Sequence, residues 1–376
     1  MLKINRLMTT ILLIAISACP FAVVSAQEEA PQIRITQVDN SQFPNVTVYV
    51  SVTNTAGEPV GIDPAAIEIY ENGQLMQPVD IQGGGEVGEE HIPVTTMLVM
   101  DISGSMDKND KLAASKEAAK SYVNQMQPGD QAGVIAYDTQ VYTIQPLTTD
   151  IATLNSAIDG LQTGSDTAMY NALVEAEKAL EGVSGRKTII VLTDGLDNKS
   201  QSTADDVIAG IGESGLTISA IGFGDVSTVG QTGLNETALK SLAEKTGGIY
   251  GFATDSDALK GLYQQQSRVL QSEHLITYVS PSTLRDGVNR NLTVSLTGGA
   301  TSVEGQYNPG GVLPEVSSRS WTTFAVILLG LLALLFAPML INLITQAFSN
   351  SKKKFGGNGY ISKSPQHAAR GRIKLK

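Results

Sequence analysis

Residues 95–106, TTMLVMDISGSM, carry an unbroken apolar run from Met97 to Met100 that ends directly in Asp101, Ser103 and Ser105. A run of that kind reads as a strand covered on both faces, as the central strands of parallel sheets are. Open α/β sheets bind ligands at the carboxyl ends of their strands, which is where these three oxygen-bearing side chains stand. One carboxylate and two hydroxyls suit a hard cation such as Mg²⁺ better than zinc. The same residues also fit an Asx or Ser/Thr turn capping the next helix.

Two later stretches favour the metal. In residues 164–172, GSDTAMYNA, the hydroxyl of Thr167 lies in a loop just before a helical pattern, and in residues 187–195, KTIIVLTDG, a second apolar strand ends in Asp194 and a glycine. Asp101, Ser103, Ser105, Thr167 and Asp194 together can give a hard ion an all-oxygen shell with one position left open. Here the chain resembles the von Willebrand factor type A domains, whose metal-ion-dependent adhesion site reads Asp-x-Ser-x-Ser, then Thr, then Asp. The resemblance covers residues 93–273. It implies that Ser103, Ser105 and Thr167 bind Mg²⁺ or Mn²⁺ through their hydroxyls and that Asp101 and Asp194 hold it largely through water. It also implies that an acidic side chain of a protein partner fills the open position.

The alternation within 93–273 predicts an α/β fold with a doubly wound, mostly parallel sheet. A helix with Leu112, Ala119, Tyr122, Val123 and Met126 on one face is expected after the first strand, with Asp110 as its cap. Strands follow at 131–137, 140–144, 216–222 and 249–253. Helices are expected at 150–161, from Met169 to Leu180, and near 203–213, 235–245 and 256–273.

The flanks are different. Val46, Val48, Val50 and Val52 alternate with other residues at the period of a half-buried strand, Ile67 and Ile69 repeat it, and Asn72-Gly73 is a hairpin signal. The β pattern returns at 274–280 and 291–296. Neither flank has strands enough for a sandwich of its own. Residues 27–92 and 274–318 are therefore expected to pair into one small β-sandwich that carries the α/β domain as an insertion, with the Gly- and Glu-rich residues 83–90 as a flexible connection.

At the amino end, a basic start, an apolar run from Met8 to Val24 and the small residues before Gln27 read as a secretory signal over 1–26. Residues 16–19 also resemble a lipoprotein box, which would lipidate Cys19. Cleavage after Ala26 leaves a chain without cysteine, which fits a bacterial envelope. Residues 321–344 are uncharged and long enough for the roughly 20 residues that cross a bilayer, so 319–346 is expected to span it. Eight of the 26 Lys and Arg residues lie between Lys352 and Lys376. By the positive-inside rule this tail, 347–376, is cytoplasmic and the folded region lies outside. That region, 27–319, carries 16 basic against 37 acidic residues, a balance of −21 that argues against nucleic acid as a partner.

Catalysis finds little support. No Gly-x-x-x-x-Gly-Lys-Ser/Thr loop is present. None of His91, His274 and His367 is near Ser103 or Ser105 in sequence, and a nucleophilic serine needs such a base. Asp107, Asp166 and Asp197 flank the motif as loop or cap residues. The expectation is a non-enzymatic, membrane-anchored module that captures a protein partner through its metal, or else an envelope assembly subunit acting on other membrane proteins in cis.

Overall fold

The computed structural model describes residues 31–84, 91–211, 215–224, 234–297, 301–311 and 321–351. The expected signal segment, the basic tail from Lys352 onward and residues 85–90 of the acidic connection lie outside the described residues. Two units divide after Glu315.

The first unit begins with five strands: β1 (Gln32–Asp39), β2 (Asn45–Thr53), β3 (Ile67–Glu71), β4 (Gln74–Leu75) and β5 (Pro78–Gly83). The α/β region follows, with β6 (Val94–Asp101), α1 (Lys111–Val123), β7 (Gln131–Tyr137), β8 (Val141–Thr148), α2 (Ile151–Asp159), α3 (Met169–Ala179), β9 (Arg186–Thr193), α4 (Ala204–Gly210), β10 (Thr217–Phe223), α5 (Glu236–Lys245), β11 (Tyr250–Ala253) and α6 (Ser256–Gln271). Strands β12 (His274–Val279), β13 (Arg290–Leu296) and β14 (Ser302–Tyr307) complete the unit. The second unit contributes one helix, α7 (Trp321–Ser351).

The α/β sheet has the order β11-β10-β9-β6-β7-β8, parallel except for β8, which runs antiparallel to β7. Strands β6 and β9 are buried at every residue, because helices cover both faces. On one face Leu98, Met100, Val134 and Ile190 pack against Ala119, Tyr122, Leu154, Leu259 and Tyr263. On the other, Met97, Val99, Ile135, Ile189 and Val191 meet Leu173, Ala176, Leu239 and Leu242. From β6 the chain winds outward through β7 and β8, then returns to the opposite side of β6 as β9. The gap between the carboxyl ends of β6 and β9 is thus the switch point at which such sheets form a crevice.

Asp110 does not cap α1. It and Asn109 take left-handed backbone, φ 54° and 56°, and the Asp110 side chain makes no capping bond. Asp150, Thr203, Asn235 and Asp255 do cap their helices through side-chain oxygens.

Strands from both sides of the α/β region share each of two further sheets, ordered β1-β2-β12-β5 and β14-β13-β3-β4. Val46, Val48, Val50, Ile69, Ile276, Tyr278, Leu292 and Val294 form the core between them. The β3–β4 turn places Asn72 and Gly73 at φ 49° and 81°, as a tight hairpin needs. The chain leaves and rejoins this sandwich at one place, where the Gly84 N–H donates to the Glu273 carbonyl over 3.0 Å. Beside it lies a buried ion pair. Arg186 at the start of β9 donates through Nε to Glu273 Oε2 at 2.5 Å and through Nη2 to Oε1 at 2.9 Å, and its Nη1 reaches Gln37 of β1 and Thr217 of β10.

Helix α7 is 31 residues long, with Phe324, Val326, Leu329, Leu334 and Leu335 exposed. Among the described residues no helix is long and apolar enough to cross a membrane, so the span expected over 319–346 is not found among them.

Candidate metal centre

Strand β6 delivers Asp101 to the switch point and β9 delivers Asp194 beside it. Asp101 is fully buried. Its Oδ1 accepts the backbone N–H of Ser103 at 2.8 Å, and its Oδ2 accepts the hydroxyl of Thr193 at 2.7 Å. Burial pushes this carboxyl up to about 6, against the opposing hydrogen bonds from Ser103 and Thr193. After Ser103 the chain enters a tight helical turn over Gly104–Asp110, which sets Ser105 on the same side as Ser103. The two hydroxyls share a hydrogen bond of 3.0 Å, and the Ser105 hydroxyl donates to Asp194 Oδ1 at 2.6 Å. Four of the five residues singled out in the sequence thus form one hydrogen-bonded chain, Asp101–Ser103–Ser105–Asp194.

Thr167 enters through its loop. The Gly104 N–H donates to the Ser165 carbonyl at 2.7 Å, which ties this loop to the turn after β6. On its other side the Thr167 N–H donates to Asn198 Oδ1 at 3.0 Å, and the Thr167 carbonyl accepts the N–H groups of Asn198 and Lys199. Gly164 is required for the close approach, since a Cβ there would lie 2.0 Å from Asp138 Oδ2. Thr167 is itself buried.

The donor set has the chemistry of a hard-cation site: oxygen only, with two carboxylates and three hydroxyls on a rigid sheet end. Among the described residues there is no cluster of three or more His, Cys, Asp or Glu side chains able to hold a metal. Here only Asp101 and Asp194 are of those types, and the remaining donors are hydroxyls. The five residues thus offer a divalent cation a weakly anionic, all-oxygen donor set.

Two participants escaped sequence reading. Thr193 fixes Asp101, and its signal was its place immediately before Asp194. Lys111 donates through Nζ to Asp194 Oδ2 at 2.6 Å, and nothing in the helical periodicity of its segment marked it. Of the flanking acids, Asp197 accepts from the Tyr170 N–H at 2.9 Å and from Ser200, Asp166 pairs with Lys199 at 3.4 Å on the surface, and Asp107 is exposed.

The von Willebrand factor type A domain family matches residues 96–196, the stretch from β6 through Asp194. A UPF0353 protein of Mycolicibacterium paratuberculosis is 28% identical over 217 residues, which cover 50% of this chain and 65% of the relative. A UPF0353 protein of Mycobacterium leprae is 30% identical over 237 residues, covering 54% of this chain and 69% of the relative. Among solved structures, the conserved hypothetical protein BatB from Bacteroides thetaiotaomicron aligns with 23% identity over 47% of this chain and 98% of its own, at a TM-score of 0.39. Proximal thread matrix protein 1 of the mussel byssus, solved with a zinc-occupied adhesion-site motif, aligns with 20% identity over 50% of this chain and 48% of its own, at 0.43. With the family match on the strand and loops that build the site, and a relative of which this chain covers more than two thirds, the chain belongs to the UPF0353 family of von Willebrand factor type A domain proteins.

Proposed function

We propose that this protein is a membrane-anchored extracytoplasmic module that captures a protein partner through a divalent cation held by Asp101, Ser103, Ser105, Thr167 and Asp194. The observation that carries this reading is the hydrogen-bonded chain of oxygen donors across the β6–β9 switch point, with the Thr167 loop tied against it. When bound, Mg²⁺ or Mn²⁺ supplies a Lewis-acidic position for a carboxylate oxygen of the partner. Asp194 orients the Ser105 hydroxyl, which in turn meets that of Ser103, and Thr193 and the Ser103 N–H hold Asp101 in place. Two carboxylates leave a divalent ion only just neutralised, so an outside acid gains more here than at a fully anionic cage.

Binding is favoured over catalysis by the position of the bases. His91 pairs with Asp130 at 2.7 Å, and the same Asp130 oxygen accepts the Val94 N–H at the amino end of β6. His274 is on sandwich strand β12. Neither is beside Ser103 or Ser105. Anchoring rests on the uncharged residues 321–344 within α7 and on the basic residues that follow.

The test is capture of partners by the full chain in detergent. Binding should be lost in EDTA, return with Mg²⁺ or Mn²⁺, and vanish in Asp101→Ala and Thr167→Ala variants that keep their circular dichroism spectrum. Capture that persists in Asp101→Ala without bound metal would overturn the adhesion reading and leave a scaffold that works with other membrane proteins in cis.

A further inference from the structure

Every oxygen of the two site carboxylates is engaged, but only one carboxylate meets a cation. Asp101 is held by an N–H and a hydroxyl. Asp194, its side chain wholly inaccessible, has Ser105 on Oδ1 and the Lys111 ammonium on Oδ2, each at 2.6 Å, and the lysine side chain keeps 19% of its surface exposed. No local preference puts a lysine in that place. Lys111 is the first residue of α1, where the helix dipole disfavours positive charge. The turn that delivers it uses two successive left-handed residues, Asn109 and Asp110, neither of them glycine. The ammonium's contact lies on a residue assigned to the cation.

Resting on the metal reading above, we propose that Lys111 is a tethered cation that neutralises Asp194 in the metal-free protein and competes with the divalent ion for that carboxylate. Lys111 then sets how much metal the site needs before it loads. A buried carboxylate stripped of its partner is costly, so the lysine also keeps the metal-free site folded. It remains partly exposed, so its ammonium can withdraw to solvent on the long flexible stem that distinguishes lysine from arginine.

The experiment is Mn²⁺ calorimetry on the full chain in detergent, comparing wild type with Lys111→Gln. The variant should bind Mn²⁺ at least tenfold more tightly, about 1.4 kcal/mol. Its melting temperature should be lower than wild type in EDTA and rise more on adding Mn²⁺. A second readout needs no variant: labelling of Lys111 by an amine-reactive reagent, followed by mass spectrometry, should increase when Mn²⁺ is added to the wild type. Equal or weaker Mn²⁺ binding by a folded Lys111→Gln, or labelling indifferent to Mn²⁺ in a wild type that binds it, overturns the competition and leaves the metal site standing. Absence of Mn²⁺ binding in both proteins overturns the metal reading as well.

Discussion

Glu177 on α3 is a buried acid without a paired cation among the described residues. It is 8% exposed, and its Oε1 is buried without a hydrogen-bond partner among the described residues. Burial pushes its carboxyl up to about 7. Because the folded value lies above the unfolded one, the folded state holds its proton more tightly between about pH 4.5 and 7. Stability therefore falls as pH rises through that window and stays low above it. Glu177→Gln should remove this slope and gain roughly 1–3 kcal/mol at pH 8, with little change at pH 4. Urea midpoints at the two pH values check it. The residues named in the site were legible for a related reason. Asp101, Ser103, Ser105 and Asp194 are small polar side chains where apolar strands stop, and such breaks stand out in sequence. Lys111 was not legible, because its role depends on a left-handed turn at Asn109 and Asp110 that helical periodicity does not encode.

At the scale of elements, the strands read from sequence were chiefly buried ones, with the edge strands β8 and β11 of the α/β sheet read as well. Strands β6 and β9 contain unbroken apolar runs, Met97 to Met100 and Ile189 to Leu192, and β2 and β3 alternate at period two. Strands β1, β5 and β14 escaped; all three are sandwich edges, β5 is exposed at its first four residues and contains Pro78, and Gly305 interrupts β14. Such strands bury too little to leave a strong pattern. The Arg186–Glu273 pair was equally hidden, since its partners are separated by 87 residues. Each side chain of the pair is 1% exposed, so removing one strands the other's charge in the interior. Arg186→Met should cost about 3–5 kcal/mol, and Arg186→Met with Glu273→Leu should recover much of it. Denaturant unfolding of the single and double variants measures both.

For the whole molecule, charge is the clearest guide. The acids all fall between Glu28 and Glu315, whereas the segment after α7 is basic. On the proposed topology, protease added to intact protoplasts should digest the folded region and leave a small fragment containing Lys352 to Lys376, seen by mass spectrometry. A protected folded region would overturn export. The α/β class was open to sequence reading at this scale because its winding is repeated along the chain. Chain direction within the sheet was not: the reversal of β8 depends on its tight connection to β7 after Tyr137.

The shared junction at Gly84 and Glu273 also has a mechanical meaning. Asp101 and Asp194 stand at one end of β6 and β9, while Arg186, at the other end of β9, reaches Gln37 of the sandwich. Arg186 is tied to Glu273, the residue before β12, and Gly84 after β5 is bonded to that same residue. Strand β12 is bonded on one side to β2 and on the other to β5, and ladder bonds of this type lie across the strand direction. A pull along β12 would load them side by side in shear rather than opening them one after another.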